Sequence, residues 1–176
     1  MIAGLDRLGT RRLPVVLDFR GRSNFFAAMS IGKILRERGF AVTVGRTLVD
    51  DCRDASKADC EALKRAGAPL NASLSESAMC DTACILSLAG GARRTVPAAT
   101  AVIIGGWRIY SRRDLNIADE IREGRHAYLR DQFKVYLTQM GVDPQVVDIM
   151  EGNYEHQTNT ALSRADLVQL RIVTSQ

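Results

Sequence analysis

Histidine is scarce in this chain, and long apolar runs are absent from it. Only His126 and His156 stand in 176 residues, so chemistry that needs an imidazole has two side chains to draw on. No apolar stretch reaches the roughly 18 residues of a bilayer span, which excludes insertion by such a helix. Helix-turn-helix spacing, zinc fingers and aromatic RNA-binding signatures are missing, so no nucleic-acid partner is expected. Cys52, Cys60, Cys80 and Cys84 lack the tight CxxC spacing of structural zinc sites. No metal and no cofactor are expected. Internal repeats and low-complexity segments are absent as well, and the length suits a single domain over residues 1–176. The opening stretch MIAGLDRLGTRRLPVVLDF lacks the apolar core and small-residue cleavage site of a signal peptide. Read as a genuine start, it predicts a cytoplasmic chain.

What the sequence does contain is an ordinary globular balance, with 46% hydrophobic and 25% charged residues. The net charge of +4 comes mostly from dispersed arginines, among them Arg36, Arg38, Arg93 and Arg94. They read as a solvated basic surface. An even number of cysteines keeps an oxidising compartment open.

Hydrophobic periodicity orders the elements. LPVVLDF (13–19) is a short β-branched run and reads as a buried strand. Ser23 is a candidate N-cap for a helix in which Phe25, Ala28, Met29, Gly32 and Leu35 share one face. Gly39 stops that helix, and FAVTVGR (40–46) is the next strand, completing a βαβ unit. Residues 47–78 read as a polar loop with a short helix in KADCEALKRAG, a connection long enough to need its own internal staple. CDTACILSLAGG reads as a helix, followed by two strands joined at Pro97. A helix over 113–140 offers Ile117, Ile121, Tyr128, Phe133, Tyr136, Leu137 and Met140 as apolar contacts. Pro144 opens another helix, Ser163 caps a short one, and RIVT closes the chain as a strand.

CDTAC (80–84) admits several chemistries. Cys52–Cys60 is the easier disulfide, while Cys80–Cys84 needs a distorted first helical turn because a regular helix aims its Cβ vectors poorly. In a reducing compartment all four cysteines are thiols, and Cys84 is a small core residue. Thr82 or Cys80 at the start of a helix could act as a nucleophile, given a base within hydrogen-bond reach.

The order of these parts resembles the ClpP/crotonase superfamily. A strand ending in a glycine turn leads to the MSIGKILRERG helix. A small-residue motif then opens a helix ending in AGG, followed by RRTVPAATAVII. YLTQMGVDPQVVDIM and ALSRADLVQLRIVTS resemble the closing segments of ClpP-like proteins of Gram-negative bacteria, many predicted to be periplasmic. The resemblance spans about residues 13 to 174. It implies an α/β fold, a spiral of ββα units with a helical C-terminal part. It also implies a periplasmic location and assembly as a homo-oligomer, for which segment 113–141 would be one surface, although a role in the chain's own core is just as natural for that segment. The strand that such folds place before LPVVLDF is missing or very short.

The resemblance also implies a Ser-His-Asp triad and an oxyanion hole, from which this sequence departs. The oxyanion turn falls on Gly21 and Arg22, with Arg22 where a second glycine belongs. The nucleophile falls on Thr82, whose extra methyl restricts χ1. The histidine falls on Gly105, which has no proton acceptor, and the acid falls near Glu155. His156 is the candidate substitute base; His126 reads as a surface or packing residue. The expectation is a catalytically degenerate ClpP-like protein that binds a peptide or protein partner or assembles with itself. The alternative is a peptide or acyl hydrolase using Thr82 or Cys80.

Overall fold

The computed structural model describes residues 13–19, 24–67, 70–107 and 119–174, leaving aside the side chains of Asp119 and Arg122. Over these residues the fold is mixed α/β. Strand β1 (Val15–Leu17) pairs in parallel with β2 (Ala41–Val44), and β6 (Arg93–Thr95) pairs in parallel with the other edge of β2. Helix α1 (Phe25–Glu37) links β1 to β2 and buries Ala28, Met29, Gly32 and Leu35, the face its spacing predicts. Its N-cap is Asn24, whose side chain accepts from the Ala27 N–H at 3.1 Å. Ser23, expected in that role, lies outside the described residues. Gly39, at φ +66°, ends the helix as expected.

Helix α3 (Thr82–Ala89) is the hub, with all eight residues buried. TACILSLA carries no charge, and a helix apolar on every side belongs in a core. Its crossing with α1 brings backbone against backbone: a Cβ on Gly90 would stand 1.9 Å from the Gly32 oxygen. Glycine is a steric requirement there. Tyr136, from α4 (Asp119–Gln139), reaches the same crossing and donates its hydroxyl to the Leu86 carbonyl at 2.6 Å. Burial pushes that phenol well above the ordinary tyrosine range.

A second small sheet pairs β5 (Met79–Cys80) in parallel with β7 (Ala101–Gly105), and β8 (Asn159–Ala161) antiparallel to β7. Helices α5 (Gln145–His156) and α6 (Arg164–Gln169) complete the described chain. Ser163 caps α6 as expected, with a reciprocal bond from its own N–H to Asp166.

Four expectations are corrected. Residues 47–78 are not a simple loop: β3 (Arg46–Val49) and β4 (Ala72–Ser75) form an antiparallel pair around a 3-10 turn (Asp50–Cys52) and helix α2 (Lys57–Ala66). RTLV and ASLS are too polar and too exposed to read as buried strands. RIVT is not a strand, because Arg171 sits at φ +53°, which breaks the extended course. Ile121 and Tyr128 are exposed, whereas Phe133, Tyr136, Leu137 and Met140 enter the core; Ile117 lies outside the described residues.

Arg94 overturns the reading of every arginine as surface. It is 3% exposed, and its guanidinium donates to the carbonyls of Ala89, Gly91, Met140, Arg171 and Ile172 at 2.8–3.3 Å. These carbonyls lie at or just beyond the C-terminal ends of α3, α4 and α6, where helix dipoles leave partial negative charge. Arg36 adds bonds to the Ala89 and Met140 carbonyls. Burial, then the charges of Arg36 and Arg171, pull the Arg94 guanidinium down to about 10. It remains cationic at neutral pH.

Candidate functional site

The CDTAC segment is a strand-to-helix turn. Cys80 ends β5, Asp81 is the N-cap of α3, and Thr82 is its first residue. The Asp81 carboxylate accepts from the Cys84 N–H at 2.9 Å. A negative side chain therefore already occupies the start of this helix, which works against stabilising a second anion there.

Cys80 and Cys84 are joined in a disulfide with Cα atoms 5.1 Å apart, and both are fully buried. Two expectations change with this. Cys84 is not a free core thiol, and the bridge needs no distorted helical turn. Cys80 lies in the strand, outside the helix, so the turn at Asp81 supplies the approach that a regular helix lacks. In this form the Cys80 sulfur is not available as a nucleophile. Cys52 and Cys60 are also bonded, and their bridge staples the long connection as its length predicts.

Thr82 is buried, and its hydroxyl lies against the backbone of Gly105. It accepts from the Gly105 N–H at 2.9 Å and lies within donating distance of the Gly105 carbonyl at 3.3 Å. Positions 82 and 105 are thus in direct contact across α3 and β7. A Cβ at residue 105 would stand 3.9 Å from the Thr82 oxygen and 3.0 Å from Asn159 Oδ1. A side chain there would enter the space between them.

The candidate bases are not gathered at Thr82. His156 and Glu155 are exposed near the C-terminal end of α5. The His156 Nδ1 lies 2.8 Å from the Gly152 carbonyl of its own helix, and no hydrogen bond joins its ring to Thr82. Gly21 and Arg22 lie outside the described residues.

Two neighbouring clusters carry no local signal in the sequence. Behind β7, Asn153 donates to the Ile104 carbonyl at 2.9 Å and accepts from the hydroxyls of Thr158 and Thr160. This network fastens α5 and β8 to the strand that ends at Gly105. Gly106 allows the approach, since a Cβ there would stand 2.6 Å from the Tyr154 nitrogen. Trp107 donates to Glu151 at 2.8 Å and stacks on His126 with ring centroids 4.0 Å apart. His126 is therefore a packing histidine, as its place in the helix pattern suggested. Among the described residues no three metal-ligating side chains converge, and no helix is long and apolar enough to cross a membrane.

Comparison with protein-family models, curated proteins and solved structures finds no match to this chain.

Proposed function

We propose that this protein is a catalytically silent relative of the ClpP-like proteins, with a crotonase-type spiral, serving as a binding or assembly module. The observation that carries this reading is the Thr82 hydroxyl, which is engaged by the Gly105 backbone and, among the described residues, has no titratable side chain bonded to it. A buried hydroxyl without a general base is a poor nucleophile, and loss of a triad member costs several powers of ten in rate. The Asp81 carboxylate at the start of α3 and the bonded state of Cys80 support the same reading. Two disulfides are compatible with an oxidising compartment such as the periplasm, which is the location we assign.

A panel of fluorogenic peptides and acyl esters tests the proposal. Wild type and Thr82→Ala are expected to give the same background turnover. Turnover by the wild type that disappears in Thr82→Ala would restore the hydrolase reading.

A further inference from the structure

The two disulfides stand in opposite surroundings. Cys80 and Cys84 are fully buried, in the strand-to-helix turn that opens α3. Cys52 and Cys60 are both partly exposed. Thiol–disulfide exchange needs a thiolate to reach a sulfur, so access separates the two pairs. A small thiol reductant can meet Cys52–Cys60 in the folded protein. It meets Cys80–Cys84 only after the core has opened.

The exposed pair joins two elements with different hold on the rest of the chain. Cys52 ends the 3-10 turn, and Cys60 lies in α2. The turn is fastened without the disulfide. The Asp50 N–H donates to the Asn71 carbonyl, and the Asp51 carboxylate accepts from the Asn71 N–H, both at 2.9 Å. The pairing of β3 with β4, from Arg46↔Ser75 to Val49↔Ala72, leads directly into it.

Helix α2 has no such anchor. None of its ten residues is buried. Its side-chain bonds stay local: Ser56 caps it through the Asp59 N–H, and Arg65 pairs with Glu61. Among the described residues, no hydrogen bond or ion pair joins α2 to another element. A ten-residue helix without a buried face is marginal in water. The Cys52–Cys60 bond is what ties this helix to the turn.

We propose that Cys52–Cys60 is a redox-sensitive clasp. A small dithiol reductant opens it in the folded protein and releases α2, while the β3–β4 pair and the core around Cys80–Cys84 stay in place. A thiolate of the reductant attacks one sulfur of the pair and displaces the other, giving a mixed disulfide. The second thiolate of the reductant then attacks its own bound sulfur and frees the remaining cysteine. The reductant leaves as a cyclic disulfide. Two electrons pass to the protein, and the two protons of the reductant's thiols end on Cys52 and Cys60. The device is independent of the silence of Thr82.

Treatment of the folded protein with dithiothreitol, then alkylation and mass mapping, tests the first half. Cys52 and Cys60 are expected to be modified, and Cys80 and Cys84 to stay bonded until denaturant is added. Trypsin tests the second half. It should cut the reduced, alkylated protein after Lys57, Lys64 or Arg65 at least about tenfold faster than the oxidised one, because a locally opened segment is the one cleaved. Cys52→Ser with Cys60→Ser should be cut at the fast rate without reductant and gain nothing when reductant is added. The single tryptophan, Trp107, reports the core. Its urea midpoint should not move between the oxidised protein, the reduced protein and the double serine variant. Any other alkylation pattern in the folded protein overturns the proposal. So does a reduced α2 as resistant to trypsin as the oxidised one, or a core that loses its midpoint together with the clasp.

Discussion

Thr82 and Arg94 show how far a residue's role can depart from its type. Thr82 stands where a nucleophile is expected, yet its hydroxyl serves the backbone of β7. Thr82→Val keeps the shape but removes the acceptor of the part-buried Gly105 N–H, which should cost about 1–3 kcal/mol. Thr82→Ser keeps both hydrogen bonds and loses one methyl, which should cost about 1 kcal/mol or less. Urea unfolding of the two variants measures the difference. Equal stabilities would mean that the hydroxyl is not structural. Arg94 binds five carbonyls from a buried position, with no carboxylate partner among the described residues. Arg94→Leu leaves those acceptors facing apolar carbon and should destabilise by at least about 3 kcal/mol. Arg94→Lys keeps the charge but has three donors for five acceptors, so it should fall between wild type and leucine.

At the level of elements, the strongest local signals agree with the structure. Helix α1 was legible because Ala28, Met29, Gly32 and Leu35 repeat at helical spacing before Gly39. Helix α6 was legible from Ser163 and the residues that follow it. The capping carboxylate makes that helix sensitive to acid. Hydrogen bonds from the Ser163 hydroxyl and N–H hold the Asp166 carboxyl below its ordinary range. A depressed carboxyl stabilises the fold above the unfolded aspartate value, near 3.9, and this contribution is lost as pH falls through the lower folded value. Asp166→Asn should therefore be less stable than wild type at pH 7, with the gap closing in strong acid. Urea midpoints across pH 2–7 check the sign. The elements that sequence missed share a physical cause. β3 and β4 are exposed and bury nothing, so no hydrophobic period marks them. β8 is a three-residue strand recognised only through its pairing with β7. Cys80 reads as helical because CDTAC has no breaker, and only the pairing of β5 with β7 shows that the helix begins at Thr82.

Across the described residues, two small sheets meet one buried helix, and a disulfide-stapled segment runs between β3 and β4. The resemblance to ClpP-like proteins pointed to Thr82 and Gly105 as the positions to compare. It did not show that they touch, because 23 residues separate them and a hydroxyl bonded to backbone leaves no pattern. Nor could it show the convergence of helix ends on Arg94, whose acceptors are carbonyls common to every residue. The central claim is that contact between Thr82 and Gly105 replaces chemistry at this site. Intact-mass analysis of the folded protein after exposure to a fluorophosphonate probe tests it most directly. The account predicts an unmodified chain between pH 7 and 9. A single adduct mapping to Thr82 and absent from Thr82→Ala would contradict it.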